Sequence, residues 1–560
     1  QMVSPEVDPL SPDNVLIFSV GPACGTFAPS SGLYCLTTKS PLTGTCLSSH
    51  SAGHFGTALR YAGVDVLIVR GASEKPCYIL IDNDHIEILD AEPLWGLDTK
   101  EATRTLNRMY RDLNVATIGP AGENQVLMAC VINDFARAAA RGGPGAVMGS
   151  KKLKAIAVRG TTCRVHIGNP GLFQKIVREA NLLIGERGVG LRANGTPGVV
   201  EIANATGILP TYNFQKAYFP EASAIDAKAW KELRMKHQAC FGCAMSCSKI
   251  NRKNDVVGEG PEYETIYAMG SNCGNSDIGS ILRLNDLSNR LGIDTISTGA
   301  TIAFAMELYQ RKIISIADTG GLKLEWGKAD IMEELITQIA YKKGIGKYLS
   351  EGSWKAAKHF GPPAQQYAMH VKGLEPAGYD PRGALGMGLA YATSNRGACH
   401  LRAMMHVVEV FQGKLDRFSW NEKAAVLKEL QDISSVIDSL VMCKFAARHG
   451  FDNSPEKIGL LLESIFGESW DAQEISSAGE RIYNLERLYN FEEGFARKDD
   501  NLPDRFFNES VPDGPTKGHC IDIEGFERAL DEYYNLRGWD TNGRPKAAKL
   551  HSLGLSELLR

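Results

Sequence analysis

The stretch HQACFGCAMSCSK places Cys240, Cys243 and Cys247 in a C-x2-C-x3-C run, and no other feature constrains the fold as strongly. Three thiols this close can face one small centre only if the chain turns tightly around it, as a soft metal or an iron–sulfur cluster demands. A cubane cluster takes four ligands, so the run requires a fourth cysteine from a distant part of the chain. Zinc competes on local spacing, because His237 lies three residues before Cys240 and would complete a Cys3His set. Buried small apolar packing is the bland reading, and three cysteines at this spacing argue against it. The mirrored order, C-x3-C-x2-C, would have pointed to radical chemistry.

The other ten of the 13 cysteines are scattered singly. A chain of 560 residues buries enough core to do without disulfide staples, so this usage predicts a reducing, cytoplasmic setting. The length also predicts several domains. Lys and Arg total 61 against 65 Asp and Glu, a net charge of −4, so there is no basic excess to neutralise a nucleic-acid backbone. No apolar run is long enough for a membrane span, and the N-terminus QMVSPEVDPLSPDN shows no secretory signal.

Up to about Arg159 the chain alternates short β-like runs with Gly and Pro: Val15–Val20, Asp65–Val69, Tyr78–Ile81, Ile86–Leu89 and Lys154–Val158. Beyond Asn169 the spacing turns helical. Helices are predicted from Pro170 to a stop at Gly185, over Ala227–Lys236 and Ile278–Leu291, and over Lys328–Gly344. A capping box of Ser419 and Glu422 is predicted to open a helix running to about Lys444. The reading is an α+β chain: a β-rich domain over 1–165, then two mainly helical domains over 166–371 and 372–560.

Five further segments then make a family recognisable. They are RGGPGAVMGSKKLKAI from Arg141, GEGPEYETIYAMGSNCG from Gly258, LSNRLGIDTISTG from Leu287, GLEPAGYDPRGALGMGLAYATSNRGACHLRA from Gly373, and DSLVMCKF from Asp438. In this order the chain resembles the tungsten-dependent aldehyde ferredoxin oxidoreductase family over nearly its whole length. The resemblance implies one [4Fe–4S] cluster on Cys240, Cys243, Cys247 and Cys443, which demotes His237. It also implies a tungsten or molybdenum ion held between two pterins, with the β-rich domain as their base and Mg2+ as a candidate bridge between their phosphates.

Two D-x-x-G-x-(D/C) motifs hold the pterins in that family. Here they fall on Asn289, Gly292 and Asp294, with Asn where the family has Asp, and on Asp438, Met442 and Cys443, with Val441 where glycine is usual. The loop Arg141-Gly142-Gly143 matches a pterin-phosphate contact, and its N–H groups and arginine fork suit a phosphate. A tight β-turn is the alternative reading from the residues alone. Ser51 and Gly53 match another pterin and magnesium contact, although the family often has Asn near His50. The resemblance places further cofactor contacts at Asp380 and Arg382.

Aldehyde oxidation needs a proton acceptor and a polarising group beside the metal. In GPEYET the candidates are Glu262 and Glu264, on one face if the segment is extended, and the family match selects Glu264. In RGACHLRA it selects His400, while Cys399 reads as a packed thiol. The implied activity is reversible oxidation of aldehydes to carboxylic acids, with ferredoxin or an iron–sulfur subunit as acceptor and a homo- or hetero-oligomeric state. An aryl-CoA reductase subunit of the same family is one alternative, and a zinc-stabilised binding protein without redox chemistry is another. Family members usually begin with an extra strand and an RGLG-type loop, which implies residues before Gln1.

Overall fold

The computed structural model of the chain describes residues 2–161 and 165–559. Two sheets form its first part. The first is antiparallel, in the order β3 (Cys46–Ser51), β2 (Tyr34–Lys39), β1 (Leu16–Ser19), β4 (Val66–Val69). The second has six strands: β5 (Cys77–Asp82), β6 (His85–Asp90), β7 (Asn114–Thr117), β8 (Val131–Asn133), β9 (Arg137–Ala139) and β10 (Leu153–Arg159), ordered β6-β5-β10-β7-β8-β9. Its β10–β5 pair is parallel and its other pairs are antiparallel.

Period-two alternation, broken in β10 by a bulge between Leu153 and Ala155, explains how the sheets stack. From β10, Leu153, Ile156 and Val158 join Phe18, Tyr34 and Leu36 in one core, whereas Ala155 and Ala157 face Leu106 and Leu113 in another. A central strand buried on both faces reads as a continuous apolar run, as LKAIAVR does.

The rest is mainly helical around two larger cores. The helix Thr295–Gln310 is buried almost all round, and Leu385–Thr393 is wholly buried near Tyr483 and Trp539. A small antiparallel sheet, β11 (Arg234–Gln238), β12 (Ser248–Lys253) and β13 (Val256–Glu259), interrupts the helices. The first sheet is bolted to the C-terminal helices: Lys39 pairs with Glu493 at 2.6 Å, and the Cys46 N–H donates to Asn490 Oδ1 at 3.0 Å.

Three helix expectations are corrected. The first helix runs through Gly185 to Arg187. The segment from Ala227 is helical only to Leu233, because Arg234 turns extended and opens β11. The Ser419–Glu422 box does not form: Glu422 sits in the left-handed region at φ 64°, and the helix spans Lys423–Ser439.

Candidate redox site

The cysteine run is the loop joining β11 to β12, so two paired strands hold its ends. The Phe241 N–H donates to Gly53 O at 3.1 Å, and Gly242 O accepts from Ser30 N–H at 3.0 Å. Gly242 has φ 62°, a conformation suited to glycine at this turn. Cys443 arrives from the far side as the residue preceding the helix Lys444–Phe451. Cys243, Cys247 and Cys443 pack on one small apolar cluster with Met245 and Ala446. Cys240 and Cys247 each feel the charge of Cys443.

Burial pushes the Cys240 thiol up to about 12, with Arg137 opposing and Cys443 and Cys243 adding to the rise. Burial, Glu262 and the neighbouring thiols likewise push up Cys247. Such converging thiols ionise together only around positive charge, which is what a cluster's iron supplies. Among the described residues no three His, Cys, Asp or Glu side chains gather tightly enough for a single metal ion. His237 is exposed on β11 and does not complete a Cys3His set.

The two segments expected to hold pterins fold into the same joint. After the helix Ile278–Leu291, Gly292 takes φ 72°, its N–H donates to Asn289 O at 3.2 Å, and the Ile293 N–H donates to Ser288 O at 3.0 Å. Asp294 then caps the next helix, accepting from the Ile296 and Ser297 N–H groups at 3.3 and 3.0 Å. After the helix Lys423–Ser439, Val441 takes φ 53°, its N–H donates to Asp438 O at 3.1 Å, and the Met442 N–H donates to Ile437 O at 3.0 Å. Cys443 occupies the position that Asp294 holds in the first joint. Both are Schellman closures running straight into a new helix. Glycine is obligatory in the first, where a Cβ would lie 2.7 Å from Gly119 N. The second accepts a strained valine, buried against Leu33 and Cys35.

Charge concentrates around these joints. Burial would raise the Asp438 carboxyl, but Lys444, His50 and Arg402 outweigh it and hold it far below the usual carboxylate range. Arg402 donates to Asp438 Oδ2 at 2.8 Å, to Ser48 Oγ at 2.7 Å and to Glu486 Oε1 at 2.9 Å. Arg141 bonds Glu375 O and approaches Asp294 Oδ2 at 3.9 Å. Gly142 and Gly143 take φ 86° and 83° where side chains would meet Leu47 and Leu127 O.

Glu264 and His400 face each other across this region. Glu264 Oε2 accepts from the Gly378 N–H at 2.9 Å, while Oε1 stands 3.5 Å from His400 Nε2. Burial raises the Glu264 carboxyl to about 7 against the opposing Gly378 N–H and Arg141. Burial, Arg141 and Arg396 hold the His400 imidazole down at about 3. The pair is therefore a neutral imidazole beside a carboxyl poised near neutrality. Glu262 points elsewhere, accepting from Thr196 Oγ1, because the helix Tyr263–Met269 begins between the two acids. The shared-face expectation is thus corrected.

Buried Arg141 Nη1, Arg396 Nε, Arg402 Nε and Glu264 Oε1 have no hydrogen-bond partner in the chain. Buried donors left unmet cost about 1–3 kcal/mol each, and an anionic, phosphate-bearing ligand of the pterin kind would satisfy the three arginines. The residues present fit such a group.

Other expected contacts are spent within the protein. The Ser51 hydroxyl donates to Asn133 Oδ1 at 2.6 Å. The wholly buried Arg382 guanidinium donates to Asp380, Glu509 O and Phe214 O, so this pair fixes a loop. Met442 packs its side chain into the core with Phe451 and Ile437. Gly53 has φ 110° and acts through its carbonyl on the cysteine loop. Sequence reasoning missed Arg396, Arg402, Lys444 and Tyr379. Tyr379 stacks on His406 with ring centroids 3.7 Å apart, 5.8 Å from the His400 ring. Arg396 and Arg402 flank His400 in NRGACHLRA, and that was the available signal. Cys399 is more than a packed thiol: Arg396 Nη2 donates to its sulfur at 2.7 Å.

A cysteine-rich turn packed beside Cys443, and a buried acid–imidazole pair near Asp294, are features a redox enzyme would use. Family models agree: residues 1–160 match the aldehyde ferredoxin oxidoreductase N-terminal domain, and 175–555 match domains 2 and 3. The chain belongs to the aldehyde ferredoxin oxidoreductase family and is an oxidoreductase. It is 41% identical to the tungsten-containing aldehyde ferredoxin oxidoreductase of Thermococcus kodakarensis, covering 100% of this chain and 93% of that one. It is 42% identical to the Pyrococcus furiosus protein of that name, covering 99% and 92%. The fold matches an active-site complex of benzoyl coenzyme A reductase at TM-score 0.84 and 24% identity, over 100% of this chain and 91% of that one. Membership in an oxidoreductase family displaces the zinc-stabilised alternative.

Proposed function

We propose that the chain oxidises aldehydes to carboxylic acids, reversibly, on a tungsten bis-pterin, and passes the electrons through a [4Fe–4S] cluster to ferredoxin or an iron–sulfur partner subunit. The observation that carries this reading is the matched pair of joints, with Asp294 in one and Cys443, packed beside Cys243 and Cys247, in the other. Arg141, Gly142, Gly143, Arg396 and Arg402 would hold the pterins beside Asn289 and Asp438, and Cys240, Cys243, Cys247 and Cys443 the cluster. The bound tungsten centre would supply the two-electron acceptor.

The chain's own residues handle protons and orientation. Oxidation consumes water and the aldehyde and releases an acid, two protons and two electrons. Glu264, near 7, is half deprotonated at neutral pH and takes a proton from the attacking water. Neutral His400 cannot protonate the carbonyl oxygen, so it donates an N–H to it and polarises the bond. Tyr379 and His406 wall this side with stacked rings and exclude bulk water. The twelve described cysteines are all free thiols, in keeping with a reducing cytoplasm.

Protein purified without oxygen tests the reading. Tungsten, about four irons per chain and aldehyde-dependent reduction of a dye are expected; iron-free protein with no aldehyde-dependent turnover would refute it.

A further inference from the structure

The surface over the cysteine loop is built for a partner. Gly242 and Ala244 of that loop are exposed, and Cys240, Cys243 and Cys247 are only partly buried. Three of the segments that reach the loop carry an exposed apolar side chain. Phe27 lies three residues before Ser30, whose N–H holds Gly242 O, and it is 85% exposed, the most of any large apolar residue among those described. Val189 is 57% exposed and lies three residues before Arg192, which donates to Ala244 O at 2.9 Å. Met235, 50% exposed, lies on the edge strand that runs into Cys240. An aromatic side chain held outward on a packed loop is what interface hot spots use.

Charge selects the occupant. From residue 226 to 255 there are seven Lys and Arg against three Asp and Glu, while the whole chain carries −4. Lys228, Lys231, Lys236, Arg252 and Lys253 are all exposed there. A second copy of this chain, docked by two-fold symmetry, would set this basic strand against itself. An acidic partner is attracted instead, and steering of that kind raises association rates.

We propose that Phe27 and the basic strand β11 form the docking surface for a small acidic iron–sulfur electron carrier, seated over the loop Cys240–Cys247. This rests on the cluster assignment above. The transfer is one electron from the reduced cluster to the oxidised carrier, with no bond made or broken.

The test uses holoprotein reduced with dithionite and mixed with an oxidised acidic [4Fe–4S] ferredoxin in stopped flow. No aldehyde is needed, so failure of the aldehyde reading would leave this readout intact. Phe27→Ala and the double variant Lys231→Glu/Lys236→Glu are each expected to slow second-order transfer to ferredoxin at least tenfold. Reduction of an uncharged quinone should be unchanged in both. The charge variant should also lose most of the salt dependence seen in wild type. Wild-type transfer rates to ferredoxin in both variants would overturn the proposal, as would a parallel loss toward the quinone. Sedimentation is the second measurement: a dimer turned monomeric by Phe27→Ala would assign the surface to a second copy and overturn the carrier. Wild type without cluster absorbance would overturn the cluster assignment and this surface with it.

Discussion

Replacing Glu264 with glutamine removes a charge and almost nothing else, and two quantities should move in opposite directions. The carboxyl is raised from 4.5 to about 7 by burial. A tenfold change in proton affinity is worth about 1.4 kcal/mol, so ionising this group inside the fold costs about 3 kcal/mol more than ionising it unfolded. Below the unfolded value of 4.5 both states hold the proton and the cost vanishes. Between 4.5 and about 7 the unfolded chain releases its proton first, so stability falls as pH rises. Above about 7 the full cost is present. Glu264→Gln should therefore be more resistant to thermal inactivation than wild type at about pH 8.5 and indistinguishable from it near pH 4.5. Activity should go the other way. Wild-type kcat/KM should fall about tenfold per pH unit below neutrality as the base is protonated. In the variant that limb should vanish, with turnover lower by about 10²–10⁴. Anaerobic kinetics between about pH 5.5 and 8.5, with inactivation half-lives at about pH 4.5 and 8.5, measure both effects. A variant keeping more than about a tenth of wild-type turnover, or a wild-type profile flat through neutrality, would refute the role given to Glu264.

Cys443→Ala should leave an incomplete cluster, read as lost iron and loss of the broad visible absorbance; a full [4Fe–4S] spectrum would remove this residue from the ligand set. Gly292→Ala adds a Cβ 2.7 Å from Gly119 N at φ 72°. A left-handed alanine alone costs about 1–2 kcal/mol, so the variant should melt several degrees lower, with reduced tungsten content on elemental analysis. Arg141→Ala removes a buried guanidinium with one nitrogen unmet in the chain, and should lower pterin retention measured by fluorescence after oxidation, while iron content holds. Stripping the iron with a chelator should abolish transfer to ferredoxin.

Strands were legible where local rules coincide with burial, as in LKAIAVR of β10, whose two faces meet two cores. The tight turn expected of the cysteine run is there, between β11 and β12 with Gly242 at φ 62°. Glu262 and Glu264 were misread as sharing a face, since nothing local announces that a seven-residue helix starts between them. Ser419 and Glu422 match a capping box by letter, yet the chain uses Glu422 in a left-handed turn that tertiary contacts impose. Asp380 and Arg382 pair with each other, and Arg382 also donates to backbone oxygens at 214 and 509, which no window of sequence joins. The clustering of Arg141, Arg402 and Asp438 is long-range in the same sense.

The two helix joints share one hydrogen-bond pattern but close on different atoms: a carboxylate oxygen at Asp294, a sulfur at Cys443. That difference makes the centre lopsided. On one flank the hinge ends in an insulator, its oxygen tied up by the next helix. On the other, under the proposed cluster assignment, it ends in a sulfur shared with the thiol-rich loop, so charge would have an outlet in one direction only, and damage to that wire would strand electrons at the heart of the molecule.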